Sequence, residues 1–283
     1  MVAYPFVGDV SIADTDDPRV AEYRGLGDGE LMRARGVFVA EGRMVVQRLL
    51  EDGQYALRSL LVSPAARLAL DAVLSQREIA ARVPSVYIAP TEAFEAITGF
   101  NFHRGCLALA DRPRERTLES VVDSASLLVL LEGVTDPDNV GGVFRNAAAF
   151  GVEAVLLSPT CCDPLYRKAI RTSMGAALRV PFARIQDWPA ALGGLRRAGF
   201  TVVALTPRQP SIPLDEFSAM GRIGRVALVV GSEGPGLSPE VDAIADHRVC
   251  IPMRSDVDSL NLAVATGIAL SRITGLTRLR VLT

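Results

Sequence analysis

The chain has 283 residues, 49% of them apolar and 22% charged, with a formal net charge of −2. That length suits one large domain or two ordinary ones with a substantial core. A charge so near zero argues against a general, strongly basic nucleic-acid binder, and no apolar run reaches the roughly 18 residues of a membrane span.

Residues 1–20 read as an irregular leader, acidic at Asp14, Asp16 and Asp17 and without the basic start of a secretory signal, so a cytoplasmic protein is expected. From about Tyr23 to Ala110 the pattern is mixed α/β. "GVFVAEG" reads as a strand, "RMVVQRLLEDG" as a helix stopped at Gly53, and "ALRSLLVSP" as a strand closed by Pro64. A helix near 65–80, a strand "VPSVYIAP", a short helix "TEAFEAITG" and a strand "CLALAD" follow. "DRPRERTLESVVDSAS" is polar and Arg-rich and reads as a linker; its Arg112, Arg114 and Arg116 suit either solvent or phosphate.

Beyond the linker the alternation becomes regular. Apolar strands "SLLVLLEGV", "EAVLLSP", "ALRVPFAR", "FTVVALTP", "RVALVVGSE" and "HRVCIPM" are separated by helices over "NVGGVFRNAAAFG", "PLYRKAIRTSMGA" and "DWPAALGGLRRAG", and a last helix starts at Ser259. Strands without polar alternation are buried on both faces, which predicts a parallel sheet covered by helices.

The cysteines are Cys106, Cys161, Cys162 and Cys250, with no C-x-x-C pair, and the histidines are His103 and His247. Neither a structural zinc site nor a disulfide framework is expected, and the thiols read as small buried apolar groups. All basic residues except Lys168 are arginine. This usage reflects either genome composition or the fitness of guanidinium for phosphate.

Three loops follow strand ends in the second half, where open parallel sheets bind ligands. In "EGVTDPDNVGGVFRNAA", Asn139 reads as a helix cap, Gly141 and Gly142 as points of close approach, and Arg145 as a polar group on the helix. "GSEGPGL" carries Gly231, Gly234 and Gly236 around Glu233; it is neither a Walker loop nor a dinucleotide fingerprint. In "IPMRSDVDSLNLAVATGIAL", Ser259 reads as an N-cap, and Asn261 then falls in the first turn. Asn forms helix poorly, so a specific hydrogen bond is expected there.

Together these segments resemble the three motifs of the SpoU/TrmH branch of the SPOUT methyltransferases, in order and spacing, across about residues 125–280. Asn139 and Arg145 stand in the first motif, Glu233 in the second, Ser259 and Asn261 in the third. "GVFVAEGRMVVQRLL" with "LRSLLVSP" is similar, more loosely, to the family's ribosomal-protein-like (L30e-like) substrate-binding domain. Ser255 stands where the family usually has glycine, and Asp256 and Asp258 make that loop acidic.

With the leader at 1–20 and the linker at 113–125 read from the pattern, the resemblance implies an RNA-binding α/β domain at 21–112 and a catalytic domain at 126–283. It implies a parallel sheet with helices on both faces and a C-terminal trefoil knot in that last domain, and an obligate homodimer with sites at its interface. It further implies S-adenosylmethionine held near Leu205, Gly231, Ile251, Met253 and Leu260 and methyl transfer to a ribose 2′-hydroxyl of RNA; from composition, no metal and no membrane partner are expected. The extra N-terminal domain favours ribosomal over transfer RNA.

Arg145 is then either the base or a clamp on phosphate or ribose, since a guanidinium rarely deprotonates. Glu233 fixes loop or arginine geometry, while Asn139, Ser259 and Asn261 orient the ribose and the loop. Arg24, Arg33, Arg35, Arg43, Arg104, Arg167, Lys168 and Arg171 are candidate phosphate contacts. Two other readings stay open: a nucleotide-dependent α/β enzyme acting on a small molecule, and a non-catalytic RNA-binding relative.

Overall fold

The computed structural model describes residues 7–99, 105–221, 224–254, 256 and 259–277. The chain falls into two compact units, Met1–Arg114 with Leu165–Leu178, and Glu115–Pro164 with Arg179–Thr283.

The first unit holds β1 (Val7–Ser11), α1 (Gly29–Ala34), β2 (Val37–Glu41), α2 (Arg43–Asp52), β3 (Leu57–Val62), α3 (Pro64–Ala69), α4 (Asp71–Leu74), α5 (Arg77–Ala80), β4 (Ser85–Ile88), α6 (Ala93–Thr98) and β5 (Cys106–Asp111). The strands form one sheet in the order β1-β4-β3-β5-β2. β1, β4 and β3 run parallel, while β5 is antiparallel to β3 and β2. The residues expected to form an irregular leader are structural. β1 adds an edge strand, and Ile12, Val20 and Tyr23 enter the core with Phe94, Leu107 and Leu109. The Tyr23 hydroxyl, fully buried, is satisfied by Ser59 Oγ at 2.8 Å, and burial raises its pKa strongly. The acidic run misled because its carboxylates serve local turns: Asp14 accepts from the Asp16 amide and Asp17 caps a 3₁₀ turn. The single helix expected near 65–80 is instead three short ones, interrupted where Gln76 turns extended.

The second unit holds α7 (Leu118–Val122), β6 (Leu127–Glu132), α8 (Pro137–Ala149) and β7 (Ala154–Leu157). The chain then contributes α9 (Arg167–Thr172) to the first unit. It returns with β8 (Phe182–Arg184), α10 (Ala191–Arg197), β9 (Phe200–Leu205), β10 (Ile212–Pro213), α11 (Leu214–Ala219), β11 (Arg225–Gly231), α12 (Pro239–Ile244), β12 (His247–Cys250) and α13 (Leu262–Thr277). The strand order is β10-β12-β9-β11-β6-β7-β8, and every pairing is parallel, as the continuous apolar runs predict. One face of this sheet (Leu128, Leu130, Leu156, Val202, Ala227, Val229) packs with Val121, Leu195 and Val241 from α7, α10 and α12. The alternate residues Val129, Leu131, Leu228 and Val230 are buried too, and α8, α11 and α13 contact strands of the same sheet.

Several expected elements shift. The linker contains α7, capped by the Thr117 hydroxyl at the Ser120 amide. The helix over "PLYRKAIRTSMGA" shrinks to α9. The strand over "ALRVPFAR" shrinks to β8, because residues 176–178 make a 3₁₀ turn. β10, α11 and α12 carry too few residues to show a period in sequence. Among the described residues no helix is long and apolar enough to cross a membrane. Expectations for His103, Arg104, Ser255 and Asp258 fall outside the described residues.

Candidate active site

The three loops of the second unit follow β6, β11 and β12 and converge beyond the carboxyl ends of these strands. The segment after β9 and the second and third loops line a cavity of about 370 Å³ there, with Leu205, Gly231, Ile251, Met253 and Leu260 in its wall and Val230, Leu237 and Leu262 adding apolar surface; the first loop, after β6, lies beside it and contributes no lining residue. Thr206, Arg208, Ser232, Glu233 and Ser259 also line it. An apolar body with a few polar groups suits an amphipathic cofactor such as an adenosyl sulfonium. Gly231 is dictated by geometry: a Cβ there would lie 2.3 Å from the Gly236 carbonyl carbon and 2.5 Å from the Leu237 nitrogen. The loop closes on itself through a Ser232–Gly236 bridge, and Gly234 and Gly236 take φ of +86° and +69°.

The third loop meets the other two through Asn261. Its Oδ1 accepts from the amides of Ala263 at 3.0 Å and Val264 at 3.2 Å, so Asn261 is the N-cap of α13 and Ser259 is not. The sequence offers both polar residues two positions apart; the actual cap is decided by where the loop leaves the helix axis. With the oxygen fixed at the cap, Nδ2 points outward and donates to Asn139 Oδ1 at 2.8 Å and toward Glu233 Oε1 at 3.3 Å. One carboxamide therefore joins all three motifs, a task that needs an acceptor and a donor in one short side chain. The expected specific hydrogen bond of Asn261 is present, but at the cap position rather than within the first turn.

Asn139 is likewise not a cap. α8 begins earlier, with Pro137 in its first turn and Asp136 accepting from the Asp138 amide at 3.0 Å. Asn139 sits inside the first turn and is only 5% exposed, which frees its side chain to meet Asn261. Arg145 lies on α8 with its side chain exposed to solvent, outside this network and outside the lining of the cavity. The structure thus brings together Asn139, Glu233 and Asn261, sets Ser259 and the five expected cofactor residues around the cavity, and leaves Arg145 apart.

Sequence reasoning missed the residues that hold these loops. Glu132, at the end of β6, accepts from Trp188 Nε1 and Ser238 Oγ at 2.7 Å and from the Ser238 amide at 2.8 Å, tying β6 to the start of α12. Asn146 donates to the Ala263 carbonyl at 2.6 Å and so ties α8 to α13. Gly142 faces Ala263 and Gly267 faces Asn146, each leaving no room for a methyl group without a shift. Asn146 adjoins Arg145 in a motif and was within reach of a sequence reading; Glu132 and Trp188 carry no local signal.

In the first unit, the arginines expected at phosphate are largely engaged by protein. Glu41, buried, pairs with Arg167 and with Arg171 Nη1 at 3.2 Å. Arg24 donates to the Thr15 carbonyl, and Arg35 to the Arg24 carbonyl. Arg43 is exposed at the start of α2. Among the described residues no group of His, Cys, Asp and Glu is placed to hold a metal.

A model of the SpoU rRNA methylase family matches residues 126–271. An uncharacterised tRNA/rRNA methyltransferase of Mycobacterium tuberculosis is 39% identical over 264 residues, covering 91% of this chain and 89% of its own. The 23S rRNA (guanosine-2′-O-)-methyltransferase RlmB of Acinetobacter baylyi is 33% identical over 193 residues, 66% of this chain and 76% of that one. Among solved structures, the AdoMet-bound rRNA methyltransferase of Sinorhizobium meliloti has a TM-score of 0.78 at 25% identity, over 94% of this chain and 97% of the other. With a family model covering just over half of the chain and a relative alike along nearly all of it, the protein belongs to the SpoU rRNA methylase family of RNA methyltransferases.

Proposed function

We propose that the protein transfers a methyl group from S-adenosylmethionine to a ribose 2′-hydroxyl of structured RNA, ribosomal rather than transfer RNA, and works as a homodimer. The observation that carries this reading is the junction at Asn261, where residues from three separated loops meet beside an apolar-walled cavity. The named activity of the Acinetobacter relative points to 23S ribosomal RNA and the 2′-oxygen. The reading includes an L30e-like RNA-binding role for the first unit and a trefoil knot in the C-terminal part of the second.

The cavity residues fit the cofactor. Leu205, Ile251 and Leu260 would flank the adenosyl group, and backbone at Gly231 and Met253 would meet its polar edges. Bound there, S-adenosylmethionine would supply an electrophilic methyl group, with S-adenosylhomocysteine as the product and the 2′-hydroxyl proton passing to solvent water. The protein's part is alignment, which by itself accounts for much of such a barrier. Asn261 and Asn139 orient the ribose, Glu233 holds the second loop against Asn261, and Ser259 lines the cavity. Arg145 acts as a clamp on the phosphate beside the target: contact with an anion favours the charged guanidinium, which opposes a role as base. On this reading Arg145, exposed and outside the cavity lining, acts on RNA held between two copies. Val264 and Ile268, exposed one turn apart on α13, supply an apolar face for that assembly.

Mapping 2′-O-methyl sites in total RNA from cells with and without the protein tests this. One ribosomal ribose should lose its methyl group when the protein is absent and regain it in vitro with purified protein and S-adenosylmethionine. A site in transfer RNA would correct the substrate; no differing site, with no transfer in vitro, would overturn the reading.

A further inference from the structure

We propose that Arg208 is a positioning residue for the cofactor, a strut that sets the distance between two walls of the cavity. The proposal rests on the reading of that cavity as the cofactor site. One wall is the segment Leu205–Arg208 after β9; the facing wall is the loop Gly231–Leu237 after β11. The loop contains three glycines, and glycine loses more conformational freedom on ordering than any other residue. Its Ser232–Gly236 bridge closes the loop on itself and Glu233 meets the third loop at Asn261, but neither contact ties it to the wall after β9.

Arg208 supplies that tie. Its Nη2 donates to the Pro235 carbonyl at 2.5 Å, and its Nη1 donates to the Leu237 carbonyl at 2.7 Å and to Asp242 Oδ2 at 3.3 Å in α12. Its own backbone is set by the Thr206 hydroxyl, which accepts the Arg208 N–H at 3.2 Å. One planar guanidinium therefore joins the end of β9, two carbonyls of the glycine loop and a helix. Lysine cannot do this, because its donors radiate from a single atom rather than lying in a fixed fork. The Arg208 side chain is 45% exposed, so its pairing with Asp242 adds little to global stability. Its effect falls instead on where the loop sits, and hence on how well the cavity is formed before the cofactor arrives.

The test is isothermal titration of the full-length protein and its Arg208→Gln and Asp242→Asn variants with S-adenosylhomocysteine, alongside steady-state methylation. Arg208→Gln should raise the Kd for S-adenosylhomocysteine and the KM for S-adenosylmethionine about tenfold, the size of one charge-assisted hydrogen bond. At saturating cofactor, kcat should change by less than about threefold, because loop position is then restored by mass action. Asp242→Asn, which keeps both loop carbonyls bound, should give a smaller rise in Kd. Arg208→Lys, which keeps the charge and volume, should show the same KM-against-kcat split and stands in if Arg208→Gln fails to fold. A folded Arg208 variant that binds S-adenosylhomocysteine within twofold of the native protein, or one that loses kcat with KM unchanged, overturns the proposal. Failure of the native protein to bind S-adenosylhomocysteine would instead remove the cofactor reading on which it stands.

Discussion

At Asn261 a single side chain both caps a helix and joins the three motif loops. Capping α13 fixes Oδ1 on the amides of Ala263 and Val264, and this turns Nδ2 toward Asn139 and Glu233. Aspartate caps as well as asparagine, so Asn261→Asp keeps the helix. It replaces the donor with a carboxylate oxygen facing the Asn139 oxygen and the Glu233 carboxylate. Methylation should fall about 10²-fold, the cost of misplacing a site by about 1 Å, with the far-ultraviolet spectrum and melting temperature near native. Asn261→Ala should lose both functions, with about 1 kcal/mol of stability going with the cap. Equal activity of Asn261→Asp and the native enzyme would sink this account. That Asn261 does something specific was legible from its poor helix propensity; that it caps was not, because Ser259 offers a cap two positions earlier, and what it touches was not, because those partners lie 28 and 122 positions away.

At the scale of elements, the site depends on α8 and α13 lying close enough for the first and third motifs to meet. Gly142 is the point of closest approach: a Cβ there would stand 2.5 Å from Ala263 Cβ. Replacing a mid-helix glycine by alanine ordinarily stabilises a helix by about 0.5–1 kcal/mol. Overpacking costs about 1–3 kcal/mol and wins at this position. Gly142→Ala should therefore lower the urea midpoint and reduce activity together. Gly193 in α10 is the control, since a Cβ there meets only the end of Arg197 at 3.6 Å. Gly193→Ala should raise the midpoint and leave activity unchanged; a rise in midpoint for Gly142→Ala as well would show that the two helices have slack. The glycines of the first motif were visible in the sequence as points of close approach, but not the helix they approach.

For the whole molecule, two expectations follow from what is exposed and what is buried. Val264 and Ile268 are 52% and 37% exposed on α13, the helix whose N-cap joins the three motifs. If two copies meet there, Val264→Arg with Ile268→Asp should give a monomer by analytical ultracentrifugation and abolish methylation while S-adenosylhomocysteine still binds. A native protein that sediments as a monomer at micromolar concentration would refute the homodimer. Alkaline pH probes the interior. Burial pushes the Cys106 thiol up to about 12 and the Cys162 thiol up to about 11, while an unfolded thiol titrates near 8.5. The neutral thiols thus favour the folded state below pH 8.5, and that preference is lost as pH rises toward 11–12, because unfolding then releases their protons. The urea midpoint should fall between pH 8.5 and 11, and fall less steeply in Cys106→Ala; a flat profile would contradict burial as the cause.

The sequence by itself determined the chemistry on offer and the local elements. The continuous apolar runs dictated a parallel sheet, Gly53 and Gly99 ended helices where φ must be positive, and three spaced motifs marked the family. Only the tertiary structure decided which of those residues meet. β1 and the 3₁₀ turn of the supposed leader belong to a core because Ile12, Val20 and Tyr23 fill it, a fact no local pattern encodes. Asn139, Glu233 and Asn261 converge because the parallel register aligns strand ends that are far apart in sequence. The supports at Glu132, Asn146 and Arg208 are invisible before folding, since each acts through a hydrogen bond to a partner at least 27 residues away.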